Sequence, residues 1–90
     1  MKGRYFVHVF DNGHVGIVGR LNIDGINCND KVWNGKEWEE NNRITGAAHY
    51  DMDDGDYDGV TKEGMEICLR NWHRQMSKED YAKYKAEIIN

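Results

Sequence analysis

The chain has 90 residues, of which 39% are hydrophobic, 31% charged and 11% aromatic, and its net charge is −4 at pH 7. This aromatic content excludes a disordered tail, and the short apolar stretches exclude a membrane-spanning helix of about 20 residues. Eight Asp and Glu against one Arg give residues 37–58 a net charge of −7, which repels phosphates, so we expect no direct nucleic-acid binding. We expect one domain over residues 1–90, and a cytoplasmic location because no signal peptide is visible.

The first predicted element is a β-hairpin. Residues 5–10 alternate between two faces of a strand, and residues 11–13, Asp-Asn-Gly, form a turn signal because Asn and Gly tolerate positive φ. Residues 14–21 form the return strand, with Val15 and Ile17 expected on one face. Glycines within a strand indicate a bulge or a close approach of backbone, and here they are Gly16 and Gly19.

A second hairpin is predicted over residues 31–38. Asn34-Gly35 is the pair that a type I′ turn prefers, and Trp33 and Trp38 flank it closely enough to pack across the two strands. Residues 44–50 are predicted to add a further strand.

The second half predicts two helices. Thr61 is the expected N-cap of the first, whose apolar stripe has a spacing of three to four residues: Met65, Cys68, Leu69, Trp72 and Met76. Ser77 begins the second, whose inner stripe is Tyr81, Tyr84 and Ile88. The predicted fold class is therefore α+β, a small antiparallel β-meander of three to five strands followed by two C-terminal helices packed on one face.

Residues 50–58, the acidic segment, are the most unusual part of the sequence. Five Asp fall within the eight residues 51–58, and they repel one another. Solvent, a metal ion or a basic partner has to offset that repulsion. The simplest interpretation is a solvated loop that leads into the N-terminus of the first helix, where negative charge is favourable.

A calcium site is the alternative function that the acidic segment suggests. Residues 54–59 follow the D-x-D-x-D-G pattern with which an EF-hand loop begins, and Ca²⁺ takes several oxygen ligands. Met65 stands at the twelfth position, where the EF-hand has Glu. A shorter loop closed by a Glu resembles the excalibur type of calcium motif, although Lys62 replaces its Cys. The candidate metal ligands are Asp54, Asp56, Asp58 and Glu63.

A protein partner is the function that we favour from the sequence. Tyr50 and Tyr57 lie beside the carboxylates and supply area for a desolvated contact, while the charge drives the encounter. The candidate partner-binding residues are Asp51, Asp53, Asp54, Asp56, Tyr57, Asp58 and Tyr50. In size and charge alone, the chain resembles the small acidic proteins with which phages block host nucleic-acid enzymes, including anti-CRISPR proteins. That resemblance implies an inhibitor occupying the basic nucleic-acid-binding surface of a host enzyme.

Cysteine and histidine residues suggest little chemistry. Cys28 and Cys68 are expected to be reduced, with a disulfide between them as the alternative. The sequence contains no C-x-x-C pair of the kind that would indicate a zinc site. The best candidate for a nucleophile with its base is Cys68 with either His49 or His73. A cysteine on a buried stripe, however, is usually inert. We therefore expect a protein that is not an enzyme, with no cofactor other than the calcium of the alternative.

Overall fold

The computed structural model describes residues 5–21, 30–41, 43–46 and 57–87. Its strands and helices are β1 (Tyr5–Val9), β2 (Val15–Arg20), β3 (Lys31–Trp33), β4 (Trp38–Glu39), β5 (Asp58–Val60), α1 (Lys62–Arg70) and α2 (Lys78–Glu87). The strands form one antiparallel sheet in the order β4-β3-β2-β1-β5, and both helices pack against it. The predicted α+β class is confirmed. Neither α1 nor α2 has the length and apolar character needed to cross a membrane.

The hairpin of β1 and β2 turns where the sequence predicts it. Gly13 has φ of 88°, and the backbone N–H of Phe10 donates to the carbonyl of His14 at 2.9 Å. The register shifts beyond this turn, because Val15 pairs with Val9 but Ile17 pairs with His8, which leaves one extra residue in β2.

This bulge corrects the predicted face of Ile17. Val15 lies in the core under the helices, whereas Ile17 packs beside Phe6 on the opposite face of the sheet. The expected close approach occurs at Gly19, where an added Cβ would overlap the ring of Phe6. Gly19 therefore has no room for a side chain.

The second hairpin has a different turn from the predicted one. Trp33 pairs with Trp38, so four residues connect the strands, and the two indoles meet edge to face at 5.4 Å between ring centroids. Gly35 has φ of 101° but Asn34 does not have positive φ, which rules out type I′. The Asn34 Oδ1 instead accepts hydrogen bonds from the backbone of Lys36 and Glu37.

The prediction of a strand over residues 44–50 is wrong for the part of this range that the structure describes. Residues 43–46 are helical, and residues 47–50 lie outside the described residues. The Oδ1 of Asn41 accepts from the backbone N–H of Ile44 at 3.2 Å, and the Asn41 carbonyl accepts from the N–H of Thr45 at 3.0 Å. Capping by Asn41 thus outweighs the strand preference of the β-branched residues that follow.

Both helices begin at their predicted caps. The Thr61 Oγ1 accepts from the N–H of Gly64 at 3.0 Å, and the Ser77 Oγ accepts from the N–H of Asp80 at 3.1 Å. The apolar stripe predicts that the first helix continues to Met76, but α1 ends at Arg70. Asn71 ends it, because its side-chain amide donates to the carbonyl of Ile67 and its backbone folds back onto the last turn.

The segment between the helices joins the first hairpin instead. The N–H of Val15 donates to the carbonyl of Arg74, and the carbonyl of Val15 accepts from the N–H of His73 at 3.0 Å. The N–H of Met76 donates to the carbonyl of Gly13, also at 3.0 Å. Trp72 and Met76 consequently reach the core from a loop. Their contact with the core explains why the apolar spacing of the sequence continues past the end of α1.

Candidate functional site

The structure describes two residues of the acidic segment, Tyr57 and Asp58. The other predicted partner-binding residues lie outside the described residues: Tyr50, Asp51, Asp53, Asp54 and Asp56. The acidic segment ends in β5, which forms one edge of the sheet beside β1. Successive side chains of a strand point to opposite faces, so the structure assigns these two residues to different sides.

Tyr57 lies on the face of the sheet away from the helices. Its ring is half-buried, with centroid distances of 5.6 Å to Phe6 and 5.9 Å to His8. Because its position is held by packing, its exposed part offers a contact area that costs little side-chain entropy to order.

Asp58 points to the helix side and is held by α2. It pairs with Val7 in the sheet, and its Oδ2 accepts a hydrogen bond from the hydroxyl of Tyr84. Tyr84 is fully buried, and this bond joins β5 to α2 across the core. Asp58 therefore has a role in the fold whatever else it binds.

The Asp58 carboxylate also affects the acidity of its buried neighbours. Burial, followed by the hydrogen bond to Asp58, raises the pKa of the Tyr84 hydroxyl well above its usual value. Burial, followed by the charge of Asp58, raises the pKa of the Cys68 thiol from 9.0 to about 12. Both groups are thus neutral at pH 7.

Glu63, the fourth candidate metal ligand, has different neighbours. It is exposed in the first turn of α1 and lines a groove with Arg70 and Lys83, whereas Asp58 bonds to Tyr84. Within residues 5–21, 30–41, 43–46 and 57–87, no three His, Cys, Asp or Glu form a group that could hold a metal ion. Calcium binding with Asp54 and Asp56 stays a prediction, since both lie outside those ranges.

The described acidic residues of 37–58 lie at both edges of the sheet. Glu37, Glu39 and Glu40 are exposed on and beside β4, at the other edge of the sheet from β5. Four strand spacings separate the two edges, which is roughly 19 Å. The three glutamates are therefore remote from Asp58, and they provide a natural control for the acidic segment.

Cys68 is a free and fully buried thiol, and Cys28, its partner in the alternative disulfide, lies outside the described residues. A raised pKa and complete burial both oppose the thiolate that a nucleophile requires. His73, one proposed base, is exposed on the loop between the helices, and His49, the other, lies outside the described residues.

Sequence reasoning missed a row of rings on the surface. His8, Phe10, His14, His73 and Trp72 follow one another with centroid distances of 4.8, 5.9, 6.5 and 3.9 Å. Phe10 is 49% exposed and is the one large hydrophobic side chain that is exposed in the described part of the chain. Local sequence carries no signal for this row, because its members come from β1, the turn between β1 and β2, and the loop after α1.

The chain matches no protein-family model, and comparisons with curated proteins and with solved structures find no similar protein.

Proposed function

We propose that this protein is a non-enzymatic binding module whose acidic segment, residues 50–58, engages a basic surface on another protein. The observation that carries the proposal is the charge: five Asp within residues 51–58. Such a density favours a partner rich in Lys and Arg, because opposite charge relieves the repulsion among the carboxylates and speeds the encounter.

The end of the acidic segment supports this proposal. Tyr57 packs on Phe6 and His8, and Asp58 is bonded to Tyr84, so the chain is anchored on both faces where it enters β5. An anchored end reduces the conformational entropy lost when the adjoining residues bind. We assign the contacts with the partner to the remaining aspartates and to the exposed part of Tyr57.

A nucleic-acid-handling enzyme is the class of partner that we propose. The groove of such an enzyme carries Lys and Arg placed for phosphates, and closely spaced carboxylates present a similar density of negative charge. The protein would then act as an inhibitor in the cytoplasm, competing with nucleic acid for the groove.

A pair of triple variants tests the proposal. One replaces Asp53, Asp54 and Asp56 with Asn, and its control replaces Glu37, Glu39 and Glu40 with Gln. Each removes three negative charges, so a difference between them reports position and not net charge. A partner recovered with the parent protein from a cell lysate is titrated with both variants at 0.1 M and 1 M salt, where the Debye length falls from about 10 Å to 3 Å.

We expect the Asn variant to bind at least tenfold more weakly at 0.1 M salt and the Gln variant to bind like the parent. Added single- or double-stranded nucleic acid should displace the parent protein from the partner. If the Asn variant binds as tightly as the parent at low salt, the acidic segment is a solvated loop and the proposal fails. If nucleic acid does not compete, the partner is of another class.

Calcium binding through residues 54–59 is the second candidate, favoured by the D-x-D-x-D-G pattern. One oxygen of Asp58 accepts from Tyr84, but a carboxylate has a second oxygen that can bind a metal. Ca²⁺ at 100 times its dissociation constant would stabilise the protein by about 2.7 kcal/mol. A thermal shift in chelator-treated protein that the Asn variant loses would support this candidate, and no shift at millimolar Ca²⁺ retires it.

A further inference from the structure

Two histidines outside the acidic segment lie close together at the surface. His14 precedes β2 and is half-buried, and His73 is exposed in the loop between α1 and α2. Their ring centroids are 6.5 Å apart. Each ring is backed by an aromatic neighbour, since His14 stacks on Phe10 and His73 meets Trp72 edge to face at 3.9 Å.

The backbones that carry these rings are fixed to each other. The carbonyl of Val15 accepts from the N–H of His73, and the N–H of Val15 donates to the carbonyl of Arg74 at 2.9 Å. The Oδ1 of Asn12 accepts from the N–H of His14 at 3.0 Å. His73 has φ of 58°, a conformation that L-residues rarely adopt and that these bonds maintain. The backbone positions of His14 and His73 are therefore held side by side by the fold.

We propose that His14 and His73 form a binding site for a divalent transition-metal ion, with water completing the coordination. Neutral imidazole is a preferred ligand of Cu²⁺, Ni²⁺ and Zn²⁺, whereas Ca²⁺ and Mg²⁺ prefer oxygen. With metal–nitrogen distances of about 2.0–2.1 Å, two imidazoles on one ion have centroids about 5–6 Å apart. The exposed side chain of His73 has to rotate for a nitrogen of each ring to reach one ion.

The site differs in chemistry from the calcium candidate. It uses two nitrogen ligands far from the acidic segment in sequence, and it connects the β1–β2 turn to the loop after α1. Among divalent ions of the first transition row, it should bind Cu²⁺ most tightly. A bound ion would stabilise the junction between the hairpin and the helices.

Nickel titration tests the site directly, because Ni²⁺ has no redox chemistry under these conditions. Chelator-treated protein is titrated with Ni²⁺ alone, and heat and tryptophan fluorescence are recorded. The variants are His14→Gln and His73→Asn, the latter because Asn tolerates positive φ. His8→Gln is the matched control, since His8 belongs to the same row of rings but is separated from His14 by Phe10. Thermal unfolding in the presence of chelator checks that every variant is folded.

We expect one strong Ni²⁺ site per chain, weakened more than about tenfold by either His14→Gln or His73→Asn and unchanged in His8→Gln. Trp72→Phe should keep the heat of binding but lose most of the fluorescence quenching, because Trp72 touches His73. The proposal is overturned if either histidine variant binds Ni²⁺ like the parent. It is also overturned if neutralising Asp53, Asp54 and Asp56 removes the strong site.

Discussion

The two edges of the sheet both carry acidic residues but use them differently. On and beside β4, Glu37, Glu39 and Glu40 are exposed to solvent. At β5, the carboxylate of Asp58 turns inward and accepts from the buried hydroxyl of Tyr84. A carboxylate at an edge can therefore either maintain a solvated surface or fix a strand to a helix, and the count of charges in the sequence does not distinguish the two.

The largest expected effect appears in alkaline solution, at the buried thiol that lies near the inward carboxylate of Asp58. The Cys68 thiol ionises near pH 9 when unfolded, but its pKa in the folded protein is about 12, raised by burial and then by Asp58. Between these values the unfolded state releases a proton that the folded state keeps, so stability is complete below pH 9 and falls as pH rises towards 12. We expect Cys68 alone to contribute a loss of about 2–3 kcal/mol at pH 11, measured as the difference between the parent and a Cys68→Ala variant in urea denaturation from pH 7 to 11.

Cys68→Ala is the control for this alkaline loss. It should lower stability at pH 7, because it leaves a cavity in the core, but its stability should fall less steeply above pH 9. Part of the loss of stability should remain in this variant, because the pKa of Tyr84 is also raised. An unchanged slope in Cys68→Ala would show that the thiol does not contribute.

Removing the inward carboxylate is the second test. Asp58→Ala leaves the fully buried hydroxyl of Tyr84 without its acceptor, which should cost about 1–3 kcal/mol. Tyr84→Phe should cost less, because Asp58 is only half-buried and water can replace the lost donor. Glu40→Ala, at the exposed edge, should change stability by no more than about 0.5 kcal/mol. Equal effects of Asp58→Ala and Glu40→Ala in thermal unfolding would contradict the comparison.

The β4 edge is expected to depend more on its turn than on its carboxylates, of which Glu39 accepts a hydrogen bond from Asn34. Gly35 has φ of 101°, and an added Cβ would lie 2.9 Å from the ring of Trp72. Gly35→Ala should therefore cost about 1–2 kcal/mol through backbone strain and contact with the indole. Gly46→Ala is the matched control, since a Cβ there meets nothing within 4 Å, and it should be neutral or slightly stabilising in a helical turn.

Those parts of the fold that depend on neighbours in sequence were predictable. The turn at Gly13 and the caps Thr61 and Ser77 each rest on residues no more than a few positions apart, and all three occur. The course of the chain after Arg70 and the pairing of β5 were not predicted, because both depend on contacts with distant segments. Val15 and Trp72 form a β-bridge between the first hairpin and the loop after α1, although they lie far apart in the chain.

The candidate site was predictable to a smaller extent. Composition alone singles out the acidic segment, but the bond between Asp58 and Tyr84 joins residues 26 positions apart. The pairing of His14 with His73 likewise needs the folded chain, since these residues are 59 positions apart in the sequence. Sequence identifies unusual local chemistry, whereas it does not reveal which groups the fold places against each other.

The smallest expected effect concerns repulsion within the acidic segment. Neutralising Asp53, Asp54 and Asp56 with Asn should stabilise the protein by up to about 0.5 kcal/mol at low salt, because closely spaced carboxylates repel one another. The stabilisation should vanish at 1 M salt, where the Debye length is about 3 Å. Neutralising Glu37, Glu39 and Glu40 with Gln removes the same amount of charge on and beside β4 and should have a weaker, equally screened effect. If the Asn variant is instead less stable than the parent at low salt, the aspartates make favourable contacts within the fold. Their carboxylates would then not be free to contact a partner.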